Sequence, residues 1–142
     1  MRVFTAAHSG RAQCFKVQQE AGTWNVEELW SQKTQAYMSS PVADDKTVYV
    51  HAKAERLTAL DLESGEIRWA SKPVGKYQSL IRGENTILGL SSRGELMLVK
   101  SDPKDLIILS RRQVADDSWG HLGVFEGGLL VRDLNALRVF VY

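Results

Sequence analysis

The residues of this chain that could do chemistry are few and widely spaced. Its three histidines are His8, His51 and His121, and no two of them have the short spacing that brings a pair of metal ligands together. Cys14 is the one cysteine, which excludes an intramolecular disulfide and a cysteine-based zinc site. It lies in an alternating strand pattern, so we interpret it as a small buried apolar residue.

The acidic residues and the Ser-Gly dipeptides also lack a catalytic arrangement. Glu27–Glu28, Asp44–Asp45 and Asp116–Asp117 lie in or beside predicted turns, where solvated charge is the simplest interpretation. A Ca²⁺ site at Asp116–Asp117 would need more oxygen ligands than we can identify. Ser9–Gly10 and Ser64–Gly65 are turns, because a nucleophile elbow has Gly on both sides of the Ser. The sequence therefore predicts no catalytic residue, no metal site and no cofactor.

The elements that position these residues form a repeat. The segment 37–52 aligns with 77–92 at an offset of 40 residues, and the segment 119–132 is a third copy at an offset of 42. Each copy predicts short strands rich in β-branched and aromatic residues, separated by turn formers such as Asp, Asn and Gly. Four short strands in a period of about 40 to 45 residues are typical of a β-propeller blade.

The repeat predicts an all-β chain of about three and a half blades. We expect a partial blade over 1–36, complete four-stranded antiparallel blades over 37–76 and 77–117, and a partial final blade over 118–142. The first unit lacks its innermost strand and the last lacks its outermost one. Because a closed ring needs roughly four to eight blades, we expect the chain to be the C-terminal part of a longer propeller. The alternative is that copies of the chain associate into one ring.

The best-formed unit also has a recognisable motif. Ala59-Leu60-Asp61, Ser64-Gly65 and Trp69, preceded by Ser40-Pro41-Val42 and Val48-Tyr49-Val50, resemble the tryptophan-docking repeat of pyrroloquinoline-quinone-like β-propellers. That superfamily includes quinoprotein alcohol dehydrogenases and the assembly lipoprotein of the bacterial outer membrane. The resemblance implies a periplasmic or other extracytoplasmic location if the parent protein follows the family.

The resemblance assigns structural roles to three residues. Trp69 matches the docking Trp, which packs between neighbouring blades and is expected to be largely buried, and Gly65 matches the turn Gly. Trp30 matches Trp69 one unit earlier. The unit 77–113 departs from the pattern, since Leu109 or Ser110 stands where the Trp would lie.

Two further tryptophans lie outside the repeat positions. Trp119 precedes an inner strand, from where it could reach the central opening of the ring. Trp24 lies in a longer loop and would either contact a partner or cover a blade edge.

Composition limits the possible partners. The formal net charge of +1 gives no basis for binding nucleic acid, and the chain lacks an apolar run of roughly 18 residues that could insert into a membrane. The turns joining second to third strands carry His8, Lys53, Ser92 and Asp133, which a propeller would place on one face. We therefore predict a non-catalytic scaffold that binds a protein or peptide partner there. The alternative is a fragment of a quinoprotein dehydrogenase that uses pyrroloquinoline quinone and Ca²⁺.

Overall fold

The computed structural model describes residues 1–141, and their regular structure consists of four antiparallel sheets. The predicted all-β, blade-type fold is confirmed. Residues 1–141 form no helix that could span a membrane. The strands of the first two blades are β1 (Arg2–Ala6), β2 (Ala12–Glu20), β3 (Thr23–Gln32), β4 (Val42–Ala43), β5 (Thr47–Ala52), β6 (Arg56–Asp61) and β7 (Ile67–Pro73). Those of the last two are β8 (Gln78–Arg82), β9 (Thr86–Ser91), β10 (Glu95–Lys100), β11 (Ile107–Gln113), β12 (Gly123–Phe125), β13 (Gly128–Arg132) and β14 (Leu137–Val141).

The sheets are β1–β3, β4–β7, β8–β11 and β12–β14, with strands in chain order within each. We call them blades 1 to 4. Blades 1 and 4 have three strands and blades 2 and 3 have four. The first strands of blades 2 and 3, β4 and β8, contact each other, so they lie on the inner side of the arc.

The inner strand of blade 2 is shorter than the repeat predicts. The continuous strand begins only at Val42, because Met38 has a left-handed backbone (φ 51°) and Pro41 has no N–H to donate. Before this break, Ala36 forms an isolated bridge to Ala52 and the Tyr37 N–H donates to the carbonyl of His51 (3.0 Å). Ser39, which lies between Met38 and Pro41, is instead hydrogen-bonded through its hydroxyl to the backbone carbonyl of Gln78 in blade 3. The inner edge of blade 2 is therefore paired in two pieces, and Ser39 between them joins blade 2 to blade 3.

A β-bulge recurs at the same place in blades 1, 2 and 3, between the last two strands of each sheet. A bulge re-aims the neighbouring side chain and increases the local twist. The residues paired next to the three bulges are Cys14 with Trp30, Ala59 with Trp69, and Leu98 with Ser110. Ser110, not Leu109, is therefore the structural equivalent of the docking tryptophans.

The core lies between successive blades, where apolar side chains of one sheet pack against those of the next. The largest cluster joins Tyr49, Leu57 and Ala59 of blade 2 to Leu80, Ile87, Met97 and Val99 of blade 3. A second cluster joins Leu90 of blade 3 to Leu122 and Val131 of blade 4. Since burying each large apolar side chain stabilises the fold by about 1.5–3 kcal/mol, contacts between blades hold the arc together.

Candidate functional site

One face of the arc is built from the turns between second- and third-position strands and the loops that connect successive blades. We call it the turn face; it comprises the turns 7–11, 53–55, 92–94 and 133–136 and the loops 33–41, 74–77 and 114–122. Backbone hydrogen bonds join turns and loops into a continuous belt. They run from Lys53 N–H to Gln35 O (2.8 Å), Val74 N–H to Glu55 O (2.7 Å), Ser92 N–H to Tyr77 O (3.1 Å), Ser118 N–H to Ser92 O (2.9 Å) and Leu134 N–H to Asp117 O (3.2 Å). Turn 7–11 joins the belt through the rings of His8 and Tyr37, whose centroids are 5.2 Å apart.

All four residues that we predicted for a partner face lie on the turn face, but only two of them present accessible side chains. His8 and Lys53 are exposed. Ser92 is only 7% exposed and Asp133 only 5%. The Asp133 carboxylate accepts the backbone N–H groups of Asn135 and Ala136 inside its own turn and pairs with Arg138.

The Asp133 carboxylate thus has its hydrogen-bond partners within and beside its own turn. Its hydrogen bond with the Arg138 guanidinium, together with the two backbone donors, holds the pKa of this carboxyl below its usual range. The position of a turn in the sequence does not reveal whether its polar side chain points inward, which is why Ser92 and Asp133 looked equivalent to His8 and Lys53.

An aromatic pair lies on the same face. The indole of Trp119 is stacked on the ring of Tyr77, with centroids 5.8 Å apart and planes at 26°. Trp119 is 46% exposed, whereas Tyr77 beneath it is buried. The neighbouring Ser118 holds the loop in place, because its hydroxyl donates to the carbonyl of Arg132 (2.7 Å). Trp119 therefore offers a flat, well-fixed apolar surface on the turn face.

The two repeat tryptophans, Trp30 and Trp69, each connect their own blade to the blade that follows it in the chain. The Trp30 indole N–H donates to the carbonyl of Leu62 (3.1 Å), and that of Trp69 donates to the carbonyl of Asp102 (3.0 Å). Both acceptors lie just after the third strand of the following blade. Trp69 is partly buried and packs against the apolar cluster between blades 2 and 3.

Gly65 lies directly under the Trp30 ring. Its φ is +76°, and a Cβ placed on it would come within 2.5 Å of two atoms of the indole. The same turn is capped by Asp61, whose pKa is lowered to about 2 by the backbone N–H of Ser64 and by Arg68. A residue with a side chain at position 65 would disturb both the turn and the indole.

Comparison with known proteins places these features in a family. The family model described as outer membrane protein assembly factor BamB matches residues 1–71, which is half of the chain and includes Trp30, Gly65 and Trp69. The chain belongs to this family. No curated protein sequence matches it significantly.

Solved structures agree on the fold. The crystal structure of BamB from Moraxella catarrhalis is 17% identical, with a TM-score of 0.68, and the match covers 99% of this chain and 45% of that one. The β-propeller domain of Cps50 (Swd1) from Myceliophteria thermophila is 14% identical, with a TM-score of 0.73 and coverage of 99% and 52%. The computationally designed Ika4 protein is 12% identical, with a TM-score of 0.69 and coverage of 99% and 84%. The chain thus spans about half the length of the two natural propellers.

The quinoprotein alternative implies a bound Ca²⁺ ion. Residues 1–141 bring together no group of three or more His, Cys, Asp or Glu side chains that could hold a metal ion. Cys14 is fully buried, and burial raises the pKa of its thiol, which fits the packing role expected for it.

His51 is buried beside the loop 74–77 and fixes it. Its Nε2 is 2.8 Å from the carbonyl of Gly75, and the Gln78 amide donates to the carbonyl of Val74 (2.9 Å). Burial lowers the pKa of His51, so the imidazole is neutral at pH 7. This geometry assigns His51 to holding the loop in position.

Proposed function

We propose that the chain is part of a non-catalytic β-propeller that binds a protein or peptide partner on its turn face. The observation that carries the proposal is the exposed Trp119 indole, held flat on buried Tyr77. A rigid aromatic side chain loses little conformational freedom on binding and offers a large contact area, as hot-spot residues do. His8 and Lys53 add accessible polar groups on the same face.

The proposal includes further blades that complete the ring. Blade 4 exposes apolar side chains along its last strand, including Leu137, Val139 and Val141. In a closed propeller such a face packs on the next blade, as blade 2 packs on blade 3 here. The remainder of a longer chain and a second copy of this one are both suitable partners for this face.

The test is to pan a library of random peptides against the full chain and to measure the affinity of the selected peptides for the chain by fluorescence. We expect Trp119→Ala to abolish binding of most of them. Trp24→Ala is the matched control. Trp24 is 62% exposed and lies in β3, paired with Gln19, rather than in the loop predicted for it; it is next to the β2–β3 turn, at the end of blade 1 opposite the turn face. Equal effects of the two substitutions, or none, would contradict the proposal.

The quinoprotein alternative has its own measurement. Calorimetric titration of the chain with pyrroloquinoline quinone and Ca²⁺ should show no binding if the scaffold proposal is right. Saturable binding at micromolar concentrations, with reduction of a dye by an alcohol, would replace it with the dehydrogenase fragment.

A further inference from the structure

A small cavity lies at the junction of blades 1 and 2, on the turn face. Its volume is about 260 Å³, below the range of roughly 300–1,000 Å³ typical of sites for whole cofactors or drug-sized ligands. Three basic residues line it: Lys33 just after β3, and Lys53 and Arg56 at the two ends of the β5–β6 turn. The pocket is open to solvent and is smaller than sites for whole cofactors, and we call it the basic pocket.

The basic pocket has no negative charge of its own. No Asp or Glu lines it, and none of its three cations takes part in a salt bridge within residues 1–141. Arg56 donates one N–H to the carbonyl of Ser71, which leaves the other guanidinium donors available. Three like charges around one cavity raise the local positive potential and attract an anion.

The repeat supplies an internal comparison. The corresponding groove between blades 2 and 3 is lined by two acidic residues, Glu55 and Glu95, and two basic residues, Arg93 and Arg111. Glu95 occupies the repeat position of Arg56, and its carboxylate pairs with Arg111 at 2.8 Å. The groove itself is therefore a feature of the fold, whereas the unbalanced positive charge belongs to the junction of blades 1 and 2.

The turn that carries the basic pocket is also strained. Ala54 and Glu55 both have positive φ values, 67° and 61°, although neither is Gly or Asn. The equivalent turn of blade 3 has Gly94 at its positive φ. Non-glycine residues in the left-handed region persist where the surrounding structure fixes them, and such positions cluster at functional sites.

We propose that the basic pocket binds a carboxylate side chain of an acidic peptide segment. The rest of the partner would lie on the turn face while this side chain enters the pocket. This deepens the function proposed above and rests on it. An acidic side chain fits better than a bare ion because the pocket also has an apolar side, formed by Ile67 and Ala70, that can contact the methylene groups of Glu. The guanidinium of Arg56 can pair with the carboxylate while Lys33 and Lys53 contribute charge from the rim.

The experiment uses a fluorescent peptide of alternating glycine and glutamate, titrated with the full chain and followed by anisotropy. Lys53→Glu should weaken binding about tenfold, because it replaces an attraction to the peptide carboxylate with a repulsion and changes the charge beside the pocket by two. Arg93→Glu is the matched control: it makes the same charge change in the neutral groove and should alter the affinity less than about twofold. Arg56→Gln, a second variant of similar size, should also weaken binding.

Several outcomes would overturn the inference. They are undetectable binding of the glutamate peptide, equal losses from Lys53→Glu and Arg93→Glu, and equal binding of a glycine–glutamine peptide. Inorganic phosphate is a separate arm: if phosphate binds at the pocket and the peptide does not, the site takes a free anion and the peptide assignment is wrong.

The two proposals fail separately. If Trp119→Ala abolishes binding of panned peptides that carry no acidic residue, the scaffold function stands and the pocket assignment falls. If the glutamate peptide binds with the expected sensitivity to Lys53 but Trp119→Ala has no effect on any peptide, the pocket stands without the aromatic site.

Discussion

The contact between Gly65 and Trp30 gives the sharpest test of how the blades are joined. Gly65→Ala should destabilise the chain for two reasons. The residue has a φ of +76°, and the new Cβ would lie 2.5 Å from the Trp30 ring, which must then move. Moving the ring weakens its hydrogen bond to Leu62 and its packing on blade 2.

A second glycine separates the two causes. Gly127 has a φ of +85°, but a Cβ placed there meets nothing within 4 Å. Gly127→Ala should therefore cost only the backbone strain of a left-handed residue, about 1 kcal/mol. Gly65→Ala adds the loss of an indole hydrogen bond and part of the packing of a half-buried ring, so we expect a total of about 3 kcal/mol.

Urea unfolding of a double-mutant cycle measures the difference. With Trp30→Ala already present, no ring opposes the new methyl group, and Gly65→Ala should cost only about 1 kcal/mol. The coupling between the two positions is then about 2 kcal/mol, well above the 0.3–0.5 kcal/mol scatter of independent sites. Equal costs for Gly65→Ala in the two backgrounds would refute the docking of Trp30 on this turn.

Four further outcomes follow from the described contacts. Trp69→Phe should lower the free energy of unfolding by about 1–2 kcal/mol, because it removes the indole donor to Asp102 and part of the ring that packs on the core, and Trp69→Ala should lower it further. Asp61 has its pKa lowered from 3.8 to about 2, so its stabilising effect is present above pH 4 and is lost as the pH falls towards 2. Asp61→Asn should therefore cost about 1 kcal/mol at pH 7, after allowing for solvent screening, and should flatten that part of the urea-midpoint profile. His51 has a lowered pKa, so the unfolded chain binds the proton more readily; stability should fall as the pH drops below about 6.5, and His51→Gln should reduce this dependence. Ala54→Gly should raise the thermal midpoint, with a gain of about 0.5–1 kcal/mol from relief of its positive φ.

The blade architecture could be predicted from the sequence because it depends on local patterns that repeat. The sequence alone shows which residues favour strands, which favour turns, and how far apart the copies lie, such as 37–52 and 77–92. The recurring bulge could not be predicted, since it changes the pairing register without leaving a residue signature at Leu98 or Ala59. The short inner strand of blade 2 was missed for a related reason: the left-handed backbone at Met38 is unusual for that residue type.

The candidate site could be predicted only in outline. The repeat indicates which turns share a face, but not which side chains turn inward, so Ser92 and Asp133 were grouped with His8 and Lys53. The basic pocket combines Lys33 from the end of blade 1 with Lys53 and Arg56 from blade 2. Its charge becomes visible only when the blades are placed side by side, because no local motif links the three residues.

The tryptophan hydrogen bonds run in one direction along the chain, and this has a consequence for the order of assembly. Trp30 and Trp69 each donate into the blade that follows, so blades 1 and 2 reach their full stability only after their successors have folded. In blade 3 the equivalent position is Ser110, and the series is interrupted there. Because stability in repeat proteins is approximately a sum of nearest-neighbour terms, the seam between blades 3 and 4 should open first. Backbone amides of blade 4 should therefore exchange with deuterium earliest, while blade 2, clamped from both sides, should be protected longest.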